Sequence, residues 1–264
     1  MKRRSFGAIV LYSFNHLEPW SELTQGAFTR QGGVSDPPYD SLNASFAVQD
    51  KPESVRTNRQ LLARAVGWDP SRIVSAGQVH GRQAVAVGRG NLGGPDLVGT
   101  DALVTDEPGV LLMLKFADCV PVILWDPVRR VVGLAHAGWR GTILGTPGAA
   151  LELMVGKYGS RPSDMLVGIG PSIGPCCYEV GPEVAEAAGR KFAGTDVLRR
   201  NGGGKLHLDL WGANAETLMR LGVPEENVAT AAICTRCHHD LFFSHRAAGG
   251  LTGRFAFVAG IRDE

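Results

Sequence analysis

The stretch VLLMLKFADCVPVILWDPVRRVVGLAHAGWRG, residues 110–141, decides how this chain is read. It holds three apolar runs rich in strand-forming side chains, and two soft metal-ligand residues stand at their ends. Cys119 follows the run 110–116, and His136 closes the run 131–135, just ahead of the turn Gly138-Trp139-Arg140-Gly141. Reactive side chains at strand ends beside a tight turn point to a site rather than to core filling. His80, which lies in the upstream turn Gln78-Val79-His80-Gly81, would complete a three-ligand metal centre.

Working outward, strands are expected at 102–105, 110–116, 120–125 and 130–135. The separators Asp106-Glu107-Pro108-Gly109 and Asp126-Pro127 are turn sequences, so these strands read as an antiparallel meander. Upstream, 6–14 and 23–29 read as strands, and 30–43 is a turn-rich loop, either a plain connector or a substrate loop. A helix is expected over 52–66, with Asp50 as its N-cap and Gly67 as its stop. Strands at 72–79 and 83–87 then bracket the His80 turn. Downstream, 142–158 is helical, with Gly145, Pro147 and Gly148 breaking its first turns. A strand at 166–169, a helix over 182–192, a loop at 201–204, a helix capped by Asp209 and running to about 221, and strands at 228–233 and 255–258 complete the chain. No repeat or linker interrupts it, so the expectation is one α+β domain over residues 1–264.

Composition narrows the function classes. Lys and Arg number 27 against 26 acidic residues, so a basic surface for nucleic acid is not expected. No apolar run approaches the roughly 20 residues of a membrane span. The N-terminal MKRRSFGAIVLYSF mimics a secretion signal, but its apolar stretch is short and no small-x-small cleavage site follows. Five cysteines, two of them adjacent, do not form a secreted disulfide framework, so a cytoplasmic location is expected.

Taken alone, the residues leave two chemistries open. His80, Cys119 and His136 suit a zinc ion that keeps one position free. The same Cys119 and His136, with Asp118 orienting the imidazole, would serve a cysteine hydrolase. Arg140 is the side chain suited to grip an oxyanion, because guanidinium bonds phosphate bidentately. The glycine-rich GIGPSIGP (168–175) lacks the endings of phosphate-binding loops. Cys234-Thr235-Arg236-Cys237-His238 matches a haem-attachment pattern formally, but nothing marks the chain for export. A zinc knuckle there would need a second pair, and adjacent Cys176 and Cys177 have the wrong spacing for one. Cys234 and Cys237 are therefore expected to be free thiols on a turn.

Several segments in order, TRQGGVSDPPYDSLN (29–43), QVHG (78–81), FADC within 100–127, AHAGWRG (135–141), GPSIGPCCYEVG (170–181) and the closing CTRCHHDLFFSHRAAGGLTGRFAFVAGI (234–261), resemble the laccase-domain, YfiH-type purine nucleoside phosphorylases. That family is also called the multicopper polyphenol oxidase domain proteins, and some members are described as peptidoglycan editing factors. The resemblance covers nearly the whole chain. It implies a layered mixed and antiparallel β core flanked by helices, and one zinc ion per chain on His80, Cys119 and His136. It also implies phosphorolysis of adenosine, inosine, guanosine and methylthioadenosine, with adenosine deamination alongside. Copper is disfavoured, because the chain lacks the His-x-His clusters of a multicopper centre. Asp118 and Arg140 become the candidate catalytic residues. Arg30, Asn43, Gln78, Ser244 and Arg246 match recurrent family positions and are assigned to substrate binding. The deamination reading rests on resemblance alone, since the chain has no H-x-E with P-C-x-x-C.

Overall fold

The architecture follows from strands that are apolar on both faces. In the computed structural model, which describes residues 1–200 and 202–263, the chain runs β1 (Lys2–Phe6), β2 (Ile9–Ser13), β3 (Leu23–Phe28), α1 (Pro52–Ala65), β4 (Ile73–Gly77) and β5 (Ala84–Ala86). It continues β6 (Leu97–Val98), β7 (Ala102–Thr105), β8 (Val110–Phe116), β9 (Val120–Asp126), β10 (Val131–Ala137), α2 (Trp139–Leu144) and α3 (Thr146–Tyr158). The last elements are β11 (Leu166–Ile169), α4 (Pro182–Lys191), β12 (Leu198–Arg200), β13 (Leu206–Leu208), α5 (Leu210–Arg220), β14 (Val228–Thr230) and β15 (Phe255–Ile261). The loop expected at 201–204 begins at Asn201, which lies outside the described residues; 202–204 turn into β13.

Two mixed sheets result, in the orders β1-β2-β3-β15-β8-β4-β6 and β14-β11-β9-β10-β7-β5. Side-chain alternation in β8 shows how they stack. Val110, Leu112, Leu114 and Phe116 pack with Ile123, Trp125, Val132 and Leu134 of the second sheet, so these faces enclose one core. Leu111 and Met113 point the other way, onto Leu62 and Ala63 of α1. The outer face of the second sheet, including Val122, Leu124 and Ala135, is covered by α3, α4 and α5. The order of layers is helix, sheet, sheet, helices: an α+β fold with its β core flanked by helices, as expected.

Three expectations need correction. The meander 102–135 is split between sheets: β10 pairs antiparallel with β9 on one side and β7 on the other, whereas β8 pairs antiparallel with β15 and, in parallel, with β4. The chain therefore crosses from one sheet to the other at residues 117–119. Asp50 does not cap α1, since Lys51 holds that position. Its carboxylate instead accepts from Ser35 Oγ at 2.6 Å and Asn43 Nδ2 at 2.8 Å, fastening the 30–50 loop. The single strand expected at 6–14 is a β1–β2 hairpin, turned at Gly7 (φ 63).

Trp125 is fully buried between the sheets. Trp125→Ala should lower unfolding free energy by about 3–5 kcal/mol, the usual cost of deleting a large core aromatic. Chemical denaturation measures it, and a loss under about 1 kcal/mol would mean the inter-sheet core is not close-packed.

Candidate metal centre and cavity

Each donor of the candidate centre stands where a strand stops. His80 follows β4 in a turn with left-handed backbone (φ 61), and Cys119 follows Asp118, also left-handed (φ 81), at the crossing between sheets. His136 lies near the end of β10 and faces inward, its ring 5.4 Å from that of Phe116. Left-handed backbone is uncommon outside glycine and persists where the surroundings hold it. Asp101 does so for His80. Its carboxylate accepts from the backbone N–H groups of Val79, His80 and Gly81 at 3.2, 3.0 and 2.7 Å. The same carboxylate lies 2.9 Å from His136 Nδ1, which directs Nε2 toward Cys119 and His80 as a ligand. Burial would raise the Asp101 carboxyl, but His136 and the N–H groups of Gly81 and Val79 outweigh it and keep the carboxylate ionised.

The donor atoms of His80, Cys119 and His136 lie within 4.8 Å of one another. Gly138 closes over them. A Cβ there would stand 2.9 Å from Cys119 Sγ and 3.1 Å from His80 Cδ2, so only glycine lets the backbone pass this close. Burial pushes the Cys119 thiol up, but His136 and His80 outweigh it and bring it down to about 6. Burial likewise disfavours charge on His136, yet the thiolate and Asp101 raise it to about 9. A thiolate is thus present at neutral pH, paired with the His136 imidazolium and beside the His80 ring. This group can hold a metal ion, and His80 is exposed on the open side.

The centre forms the floor of a cavity of about 510 Å³, within the range of small-molecule sites. Gln78, Asp118, Arg140 and Arg246 line it; Arg30, Asn43 and Ser244 do not. Arg140 stacks on Trp139 at 4.5 Å and makes no ion pair among the described residues. Asp118 accepts from Thr235 Oγ1 and from Arg246 N, each at 2.6 Å. Gln78 exchanges hydrogen bonds with the Lys115 backbone, at 2.8 and 2.9 Å. Arg30 bonds Asp40 O and His239 O, and Ser244 Oγ accepts from Ala247 N. Asn43 is buried with its amide satisfied; its Oδ1 accepts from the N–H of Arg254, which does line the cavity.

Sequence reasoning missed Asp101, Asp96, Lys115, Tyr178 and Arg254. Lys115 carried a signal, as a cation inside an apolar strand. It lies on the α1 side of β8, donating to Ser75 Oγ at 2.9 Å, to Asp96 at 3.0 Å and to Ala76 O. Burial, the dominant influence, lowers it to about 8 despite Asp96. Asp96 would be raised by burial, but Arg59 and Lys115 bring it down to about 2. Cys234 and Cys237, expected as free thiols on a turn, are free, and with Cys176 and Cys177 they converge outside this cavity.

The family model described as multi-copper polyphenol oxidoreductase laccase matches residues 24–262. Purine nucleoside phosphorylase YlmD of Geobacillus stearothermophilus is 41% identical over 255 residues, 93% of each chain. Adenosine deaminase RL5, from an unknown prokaryotic organism, is 38% identical over 82% of this chain and 85% of its own length. The crystal structure of YlmD from Geobacillus stearothermophilus superposes with a TM-score of 0.92 over 98% of both chains, at 37% identity.

Three outcomes are expected here. In metal-free protein, alkylation of Cys119 by iodoacetamide should be half-maximal near pH 6, because the neighbouring cations favour the thiolate. His136→Ala should move that midpoint upward, since burial persists while the main favourable charge is gone; an unmoved midpoint would contradict the pairing. Asp101→Asn should weaken metal binding by about 10–100-fold, the usual cost of losing a partner behind a histidine ligand. Competition against a chromophoric chelator measures it, and wild-type affinity would remove Asp101 from that role.

Proposed function

Because the chain belongs to the multi-copper polyphenol oxidoreductase laccase family, we propose that it is a zinc-dependent purine nucleoside phosphorylase, acting as one catalytic domain in the cytoplasm. Its substrates are phosphate and adenosine, inosine, guanosine or methylthioadenosine, with adenosine deamination as a side activity. The observation that carries this reading is a thiolate-and-imidazole donor set on the floor of an arginine-lined cavity. Two imidazoles, one thiolate and an open side fit a catalytic zinc site with three protein ligands, in which His80, Cys119 and His136 hold one ion. The lack of His-x-His clusters argues against a multicopper centre. When bound, zinc supplies Lewis acidity at the reacting groups.

The residues divide the remaining work. In phosphorolysis the bond from ribose C1′ to the base nitrogen breaks, a phosphate oxygen bonds to C1′, and the base leaves with a proton. Arg140, held on Trp139 without an ion pair among the described residues, is free to take phosphate bidentately. Arg246 and Arg254 add positive charge along the same wall. Asp118, fixed at both oxygens beside Cys119, stands where a carboxylate can exchange a proton with the departing base or with the amine in deamination. Gln78 and Arg246 contact substrate directly. Arg30, Asn43 and Ser244 act from behind, by holding the loops that carry the wall.

Cys119 and His136 also form the thiolate–imidazolium pair of a cysteine hydrolase. The two readings diverge on metal and on phosphate. Purified protein given inosine should release hypoxanthine and ribose 1-phosphate only when phosphate is present, and should lose that activity with zinc. Base release of equal rate without phosphate defeats the phosphorylase; activity surviving zinc removal, with an adduct on Cys119, establishes the hydrolase. His80→Ala should lose the cavity's metal ion and turnover together. Arg140→Ala should keep zinc while raising the phosphate concentration needed for half-maximal rate, and an unchanged phosphate dependence would refute its role.

A further inference from the structure

The sulfurs of Cys176, Cys177, Cys234 and Cys237 lie within 4.8 Å of one another, well away in sequence from the donors of the cavity centre. Cys176 Sγ is 3.7 Å and Cys177 Sγ 3.5 Å from Cys237 Sγ. A disulfide would put two sulfurs about 2.0 Å apart. Tetrahedral thiolates with metal–sulfur bonds of about 2.3 Å stand about 3.8 Å apart. The observed spacings match the second geometry. They are too short for an iron–sulfur cluster, whose cysteines are separated by the inorganic core.

The backbone around the sulfurs is shaped to the same end. Cys177 N and Tyr178 N both donate to Gly174 O, at 2.9 and 3.0 Å, so residues 174–178 form a helical turn rather than an extended strand. Neighbouring side chains alternate on a strand but can share one side on such a turn, which is how adjacent Cys176 and Cys177 both face Cys237. Across from them, 234–238 turn through a His238 N to Cys234 O bond of 3.0 Å. Gly174 N donates to Cys234 Sγ at 3.3 Å, the kind of N–H···S bond that steadies a ligating thiolate. Gly174 must be glycine for that approach, since a Cβ would lie 2.6 Å from the Trp211 ring. The Arg236 guanidinium lies beside Cys177 and would offset the net negative charge of a divalent ion held by thiolates alone.

We propose that Cys176, Cys177, Cys234 and Cys237 form a second, tetrathiolate zinc site, structural and distinct from the centre in the cavity. Its position gives it a task. It clips segment 170–181, which supplies Ile173 and Tyr178 to the cavity wall, to segment 234–246, which supplies His245 and Arg246. Thr235, inside the clip, donates to Asp118 beside Cys119. The site therefore braces the part of the cavity lining that carries Tyr178 and Arg246 without meeting substrate, and it stands or falls independently of the reaction assigned to the cavity.

The test uses the full chain. The double variant His80→Ala/Cys119→Ala, which lacks the cavity centre, should still carry one equivalent of zinc by elemental analysis. Replacing that zinc with cobalt(II) should give the thiolate-to-metal charge-transfer absorption of a tetrathiolate, lost in a protein that also carries Cys234→Ser and Cys237→Ser. Stripping the zinc should lower the melting temperature. Wild-type protein supplies a reading free of any substitution. Cys176 and Cys237 are exposed, so as free thiols they would alkylate at the same rate with or without chelator, whereas as ligands they should resist iodoacetamide until chelator is added. A metal-free double variant, alkylation equally fast before and after chelation, or a mass showing disulfides among these cysteines would each overturn the site.

Discussion

One buried carboxylate, Asp101, holds two of the three donor side chains of the candidate centre in place. His80 reaches the site only because its turn takes a left-handed backbone, and that turn is held by three N–H groups converging on Asp101. His136 reaches it from another strand, and its ring is held by the same carboxylate. The Asp101 backbone also joins in, its carbonyl accepting from His136 N at 2.8 Å. Burying a carboxylate is costly unless its oxygens are fully bonded, and here every bond that satisfies it also positions a ligand. Folding and assembly of the centre are thus one event on this side of the cavity.

The other side depends on the crossing between sheets. Because β8 belongs to one sheet and β9 to the other, residues 117–119 must bridge the mouth of the inter-sheet core. That bridge exposes Cys119 to the cavity while the strands on either side remain buried. Asp118 stabilises the bend by accepting from Thr235 and Arg246, so the late segment of the chain holds the early one in place. A simple meander would have kept Cys119 in a hairpin on a single sheet, with no second layer to form the opposite wall.

Most strands and helices could be read from the sequence because apolar periodicity and turn residues are local signals. Which strands pair could not. The runs 110–116 and 120–126 are both apolar on both faces, and such runs carry no mark of their neighbours. The donors were legible for a similar reason in reverse: a thiol and an imidazole at strand ends stand out against apolar surroundings. Asp101 did not stand out, since an Asp before a strand is ordinary turn sequence and its partners come from distant segments. Asn43 and Arg30 were picked out by resemblance, and the structure gives them work in the loop rather than on the cavity surface. For the remaining cysteines, the convergence was not legible because knuckle spacing was applied to adjacent residues as though the backbone were extended.

Lys115 shows how these constraints meet. Odd positions of β8 face α1, so a cation at the end of that strand cannot enter the core between the sheets. It is left at the cavity edge, shared between Asp96 and the end of β4, while Arg59 of α1 pairs with the same Asp96 at 2.9 Å. Arg59 also donates to Ala44 O and covers Phe46, so the network pins the 43–47 loop, and with it Ser45 and Ala47 on the cavity rim. Thus the helix on the outer face of the first sheet shapes the cavity rim through one shared carboxylate. The helices on the far side act through Trp211, whose indole donates to Ser172 Oγ at 2.5 Å behind the GPSIGPCC turn. Both outer layers therefore do more than cover apolar sheet faces: each delivers polar tethers to the loops that surround His80, Cys119 and His136.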